Sequence, residues 1–336
     1  MSWATLGSLA LPFTLQRSGV QARTDLARNS HELTTGRVES VGRHLRGDLA
    51  ALHAIENRLT RIDSFEAALK QTVTMFDSAQ SALDKVARAG QGLAESLVLT
   101  AQSGAGPSAS KVAAQVARGV LEETVSAMSL TVAGRAVFGG VQADRAPLAP
   151  PEALIDALRP AVAGVTSAAD LADTLEAWFI DPGTQFETEI YRGGAATRGG
   201  KVDDGETAPA LPTADDPAIR RQLMAAAMVV LVGEGATAMS PAEDRAALQA
   251  AMTGLLVNAA EVAATQARIG TAQEMLDQRL LRFSLERDRL EQARSDKIGV
   301  DPYKAAMAVE QARVQLESIY TVTARVARLS LTEFLR

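Results

Sequence analysis

The chain has 336 residues, with 34 Lys and Arg against 40 Asp and Glu, a formal charge of −6; apolar residues make up 47 %, aromatics only 4 %, and cysteine is absent. The missing cysteine excludes a disulfide framework, thiolate chemistry and cysteine-ligated zinc. Arginines interleaved with carboxylates, at a pI near 5.3, leave no basic stripe for a nucleic acid.

Much of the apolar share is alanine, which suits long, closely packed helices better than a large globular core. Leu9–Leu15 is short, broken by Pro12 and preceded by no Lys or Arg, so it does not read as a secretory signal. The longest apolar run, Met224 to Val232, is too short to span a bilayer.

In chain order, a terminal helix is expected over about Thr5–Thr35. After Gly47, Leu49, Leu52, Ile55, Leu59, Ile62, Phe65, Leu69, Val73, Phe76 and Leu83 recur at steps of three, four or seven. That spacing predicts a long amphipathic helix to about Thr100, with a narrow seam and one register shift near Ile55–Ile62. At about 1.5 Å per residue it is roughly 80 Å long. Ser103–Pro107 punctuates it, and a helix is expected over Ser108–Gly134.

The centre changes character. Gly139–Pro151 is turn-rich, and Pro150-Pro151-Glu152 opens a helix over Ala153–Leu158. A second short helix covers Ala168–Phe179. Asp181-Pro182-Gly183 is a turn, and the alternation of Phe186, Thr188 and Ile190 predicts a strand over Phe186–Arg192. Gly193–Thr213 is loop, with a second strand near Gly200–Glu206 completing a small hairpin.

Asp216-Pro217 is an N-cap followed by proline at the first helical position, opening a helix through Leu223 and Val232. Ser240-Pro241-Ala242-Glu243 repeats the signature with a capping-box glutamate. From there to Ile298, Leu248, Leu255, Val262, Ile269 and Leu276 are spaced by sevens, with Met252, Leu280, Phe283 and Leu290 beside them. Asp301-Pro302 breaks this second long helix. A last one, about Tyr303–Phe334, carries Val309, Leu316, Ile319, Val326 and Leu329. The expected fold is mainly α: an elongated antiparallel helical bundle or coiled coil built from both chain ends, with a small β-hairpin region in the middle.

Four segments then resemble the flagellin superfamily, and within it the family of hook–filament junction proteins (hook-associated protein 3). They are Ser30-His-Glu-Leu-Thr-Thr-Gly-Arg37, Phe138-Gly139-Gly140 with Val141–Asp144, Ile190-Tyr191-Arg192-Gly193-Gly194 with Thr213–Pro217, and the run Ala312–Leu335. They stand in the family's order and span nearly the whole chain. The resemblance implies a structural subunit of the bacterial flagellum that joins hook to filament, with no enzymatic activity and no cofactor. It implies a terminal assembly domain of residues 1–40 and 302–336, disordered in the monomer, a rod of 41–140 and 215–301, and an insert of 141–214. The assembly interface would use Phe13, Leu33, Leu316, Ile319, Tyr320, Val326, Leu329, Leu331, Phe334 and Leu335. Expected partners are hook protein, another hook-associated protein, flagellin, further copies of the chain and an export chaperone, with neither nucleic acid nor membrane. The location would be extracellular, reached through the flagellar type III channel without a cleaved signal. Filament flagellin is the nearest alternative reading, and a cytoplasmic coiled-coil scaffold a more distant one.

No catalytic, cofactor or metal residue is singled out. His31, His44 and His53 share no helix face with a carboxylate cluster. Gly193-Gly194…Gly199-Gly200-Lys201 lacks the Ser or Thr of a phosphate loop. Asp203-Asp204 and Asp215-Asp216 lack calcium-loop spacing and read as a turn and a helix cap.

Overall fold

The computed structural model describes residues 4–102 and 107–334. The chain is mainly α-helical: α1 (Ala4–Thr35), α2 (Val41–His44), α3 (Ala50–Gln102), α4 (Pro107–Met128), α5 (Pro151–Val162), α6 (Ala168–Phe179), α7 (Pro217–Glu234), α8 (Pro241–Ile298) and α9 (Pro302–Phe334). Two short antiparallel hairpins pair β1 (Thr131–Val132) with β2 (Arg135–Ala136) and β3 (Lys201–Asp203) with β4 (Glu206–Thr207). Contacts divide the chain into two units, one of residues up to 62 plus those from 284 on, the other of residues 63–283.

The larger unit is built around α7. Its start is set by Asp216, whose carboxylate accepts from Ala218 N at 3.0 Å, with Pro217 at the first position; its end is set by Gly235 at φ 67°. Ala218, Ile219, Leu223 and every residue from Ala225 to Val232 are buried. A helix apolar on all sides needs neighbours on all sides, and α3, α4 and α8 supply them. Gly233 lets Ala114 and Ser110 of α4 approach closely. The Gln222 amide fills the space above Gly90 of α3 and donates to Val86 O at 3.2 Å.

On α8 the sevenfold column Leu248, Leu255, Val262, Ile269 and Leu276 is buried. Three residues further on, a second buried column is small or polar: Ala251, Asn258, Thr265 and Ala272. It admits α7, and Asn258 Nδ2 donates to Ala218 O at 2.9 Å. A buried amide committed to one backbone carbonyl fixes the register of the two helices. Toward α3, Gln273 donates to Asp77 at 2.6 Å and Phe283 stacks on Phe65 at 6.0 Å. Among the described residues α8 is the one helix long and apolar enough to cross a membrane, yet its apolar column is packed inside this bundle.

Three expectations need correction. Helix was expected to run to Gly134, but α4 stops at Met128 and the chain turns through Ala133 (φ 50°) and Gly134 (φ 76°). Two successive left-handed residues make the tight turn of a two-residue hairpin. A strand was expected over Phe186–Arg192, but Phe186–Ile190 is one π-helical turn, closed by Tyr191 N donating to Phe186 O at 2.8 Å. Phe186 and Ile190 are both buried; their spacing of four fits a helical face as well as an alternating strand, and Thr184, accepting from Glu187 N, decides for the helix. The hairpin forms within 201–207 instead, and Arg279 of α8 binds both Asp203, at 2.6 Å, and Glu206. The third concerns Glu243. Ser240 Oγ accepts from Glu243 N as a cap should, but the carboxylate accepts from Ala168 N at the start of α6, at 2.7 Å. The glutamate read as half of a capping box instead ties two helices together.

Candidate assembly interface and the central motif cluster

In the smaller unit α1 and α9 run antiparallel and pack against each other. Gly19 lies against Ile319, Arg23 donates to the Tyr320 hydroxyl through Nε at 2.9 Å and through its terminal nitrogen at 2.6 Å, and Asn29 donates to Ala308 O at 3.2 Å. The guanidinium also stands 5.5 Å from the Tyr320 ring centre, a cation–π arrangement. The contact is made by small residues: Ala22, Ala305 and Ala312 are buried. At its closed end Gly36 (φ 67°) stops α1, Gly36 O accepts from Val300 N, and Val38 N donates to Ile298 O at 2.9 Å. The Ser30–Arg37 segment thus clamps the turn between α8 and α9.

The expected interface residues fall into three groups. Leu316, Ile319 and Val326 are half-buried and Tyr320 is tied to Arg23. Phe13 and Leu33 are exposed. Leu329, Leu331 and Phe334 lie in α9, with side chains outside the described ones, and Leu335 lies outside the described residues. Sequence reasoning passed over Val20, Tyr303, Met307, Val314 and Val322, all exposed apolar residues of this unit. The sevenfold seam of α9 marks the stripe that meets α1; the open stripe has looser spacing and gives a weaker periodic signal. An open groove of about 810 Å³ also runs beside α1, lined by Phe13, Arg17, Val20, Arg28 and Arg43 among others.

The remaining central motifs meet one another in the larger unit. Gly194 N donates to Gly139 O at 2.9 Å, Val141 N to Ala195 O at 3.0 Å, and Ala214 N to Phe138 O at 3.0 Å. Gly140 adopts φ 62° and faces the Gly194 carbonyl so closely that a Cβ there would overlap it; only glycine fits. The Tyr191 hydroxyl donates to Gly194 O at 2.7 Å. Burial pushes the Tyr191 phenol up, with the Thr213 hydrogen bond pulling against it.

Beside this cluster sits Arg220, a buried arginine that sequence reasoning did not select. It pairs with Glu187 at 2.7 Å and with Asp215 at 2.5 Å, donates to Phe179 O at 2.9 Å and to Asp215 O at 3.0 Å, and lies 5.3 Å from the Phe186 ring centre. Burial raises the Asp215 carboxyl above its ordinary 3.8, by more than the Arg220 guanidinium lowers it. The acidic pairs thereby find their roles: Asp203 holds Arg279, Asp215 holds Arg220, and Asp216 caps α7 and binds Arg268. Gly199 and Gly200 extend the hairpin through bonds with Ala208. His31, His44 and His53 are exposed, and among the described residues no group of three ligating side chains is placed to hold a metal.

Two comparisons bear on these elements. Residues 255–335, which take in α8 from Leu255 onward and the chain after it as far as Leu335, match the family model for the bacterial flagellin C-terminal helical region. A flagellar hook-associated protein from Vibrio parahaemolyticus shares the fold with a TM-score of 0.52 at 14 % identity, over 73 % of this chain and 95 % of that one. No curated protein sequence matches.

Three outcomes follow. Arg220→Ala leaves two partly buried carboxylates unpaired and is expected to cost about 3 kcal/mol in urea unfolding; an unchanged midpoint would refute the role of this cluster. Since the folded Asp215 value is raised, its contribution to stability is full below 3.8 and is lost as pH rises through the folded value. Wild type is therefore expected to lose stability relative to Asp215→Asn on going from acid to neutral pH, and parallel curves would contradict this. Ala22→Glu places a charge where 1 % of the residue is exposed. Amides of residues 13–35 should then exchange faster by hydrogen–deuterium exchange, with those of α7 unchanged.

Proposed function

We propose that this chain is a non-enzymatic structural subunit of the bacterial flagellum, located at the junction of hook and filament. The observation that carries the reading is the flagellin match over residues 255–335, a span that includes α9 with Tyr303, Met307, Val314 and Val322 left open to solvent. A helix pair with an unpartnered apolar stripe gains by stacking with others. Burial returns roughly 25 cal/mol per Å² of apolar surface, and the ordering of the terminal helices is completed in the assembly. A face that meets a different face of the next copy generates a helical array.

The partners in this reading are other copies of the chain, hook protein on one side, and a second hook-associated protein leading to flagellin on the other. An export chaperone would cover the terminal helices before assembly. Export would proceed through the flagellar type III channel without a cleaved signal. The hook-associated relative in structure supports the junction, whereas the flagellin family model by itself fits a filament subunit equally well. Labelling with an antibody against residues 141–214 separates the two: a single band at the hook end supports the junction, and label along the filament supports flagellin.

Deleting residues 312–336 removes most of α9 and leaves the larger unit whole. The expected product is a soluble, helical chain that no longer attaches filaments. Cells with normally attached filaments and full swimming, despite that deletion, would overturn the proposal.

A further inference from the structure

A cleft of about 370 Å³ lies within the larger unit, where α3 passes the β1–β2 hairpin and the segments flanking β3 and β4. Its walls include Met75 and Phe76 of α3, Ala136 and Val137 at the end of the first hairpin, and Pro209 and Leu211. Phe76, Ala136 and Val137 are buried. Thr72 beside them commits its hydroxyl to Ala68 O at 2.9 Å, so it adds little polarity to the floor. The volume is on the scale of a ligand pocket. An apolar side chain the size of Leu or Phe would meet apolar atoms from the helix, the hairpin and the loop.

Two arginines, Arg135 and Arg198, also line the cleft, and no Asp or Glu does. That reverses the local balance, because residues 141–214 hold more than twice as many Asp and Glu as Lys and Arg. Other arginines of the same unit are bound to carboxylates of the chain: Arg220 to Asp215, Arg221 to Glu261, Arg268 to Asp216 and Arg279 to Asp203. Arg135 and Arg198 have no ion-pair partner among the described residues. Both side chains are exposed, on backbone that is held in place. Arg135 pairs with Val132 across the hairpin, and Ala136 N next to it donates to Ala143 O at 2.7 Å. Beside Arg198, Gly199 N donates to Ala208 O at 3.0 Å.

We propose that this cleft binds an acidic segment of another protein, with one large apolar side chain seated against Met75 and Phe76 and carboxylates on Arg135 and Arg198. Charge complementarity selects the occupant. A neutral segment would leave two guanidinium groups without a counter-charge, and a basic one would set like charges together. An exposed ion pair contributes little by itself, so a small free acid gains little from either arginine. A chain segment brings several carboxylates and an apolar side chain at once, and burial of that side chain supplies the anchor. All the lining residues belong to the larger unit. The site therefore does not depend on the α1–α9 pair and adds to the proposed assembly a contact of a different kind.

The test pans the full-length chain against a phage-displayed library of random dodecapeptides, with the double variant Arg135→Gln, Arg198→Gln as parallel bait. Selected sequences are expected to carry Asp or Glu next to Phe, Leu or Trp. A selected peptide, made with a fluorescent label, should bind each single variant about threefold more weakly and the double variant about tenfold more weakly. The melting curves of the variants should match that of wild type. With benzoylphenylalanine in place of its large apolar residue, the peptide should crosslink to Met75. Selected peptides without acidic residues, equal binding to wild type and the double variant, or no enrichment over the double variant would each overturn the proposal. So would a crosslink confined to another part of the chain. Displacement of the peptide by an equal concentration of phenylacetate would make a small carboxylate the occupant and overturn the protein segment. These outcomes are separate from the position in the flagellum, which the antibody labelling decides.

Discussion

The larger unit depends on the burial of α7. Eighteen residues with apolar side chains on every side cannot face water along any stripe, so the helix exists only where others enclose it. That single requirement explains the company it keeps: α3 and α8 line it through Gly90 and Asn258, and α4, α5 and α6 cover what these leave open. It also explains the alanine content: with Ala225, Ala226 and Ala227 buried in series, neighbouring backbones come close and large side chains are not needed. The two polar residues that α7 does bury, Arg220 and Gln222, are each committed to specific partners. Arg220 draws in the π-helical turn and the Asp215 segment, and Gln222 sets α7 against Val86 and Gly90.

Much of this was legible from residue order. Asp216-Pro217 and Ser240-Pro241 mark the starts of α7 and α8 because a capping oxygen followed by a residue without an N–H suits the first helical turn. The columns of α3 and α8 were visible because a long helix must repeat its apolar residues to keep one face inward. Other parts were hidden for physical reasons. Phe186 and Ile190 fit a strand or a helical turn by spacing alone, and a hydroxyl two residues earlier decided between them. α4 ends at Met128 and the chain then turns through Ala133 in a left-handed backbone, and alanine gives no warning of that. Arg220 is a charged residue inside an apolar run, and only the fold shows that two carboxylates and a carbonyl wait for it.

The candidate interface was legible in part for a related reason. Heptad spacing reports that a helix has a partner, not which partner. In α9 the regular stripe belongs to α1 of the same chain, through Ile319 and the buried alanines, and the residues left to solvent follow a looser pattern. The quoted motif segments behave similarly. Read singly they are short turns; in the fold, Phe138, Gly139, Gly194 and Ala214 exchange backbone hydrogen bonds. Backbone-to-backbone contacts of this kind leave little trace in sequence beyond the glycines that permit them.

The antiparallel pairing of α1 with α9 has a consequence in time. Arg23 and Tyr320 are separated by 297 positions, so α1 is synthesised long before the helix it is mated to. At about 5–20 residues per second, α1 spends on the order of tens of seconds without its partner. An isolated helix of this kind is marginal in water, so during that interval the leading segment remains a pliant thread. The smaller unit is thus able to close only once α9 has been made, after every residue of the larger unit.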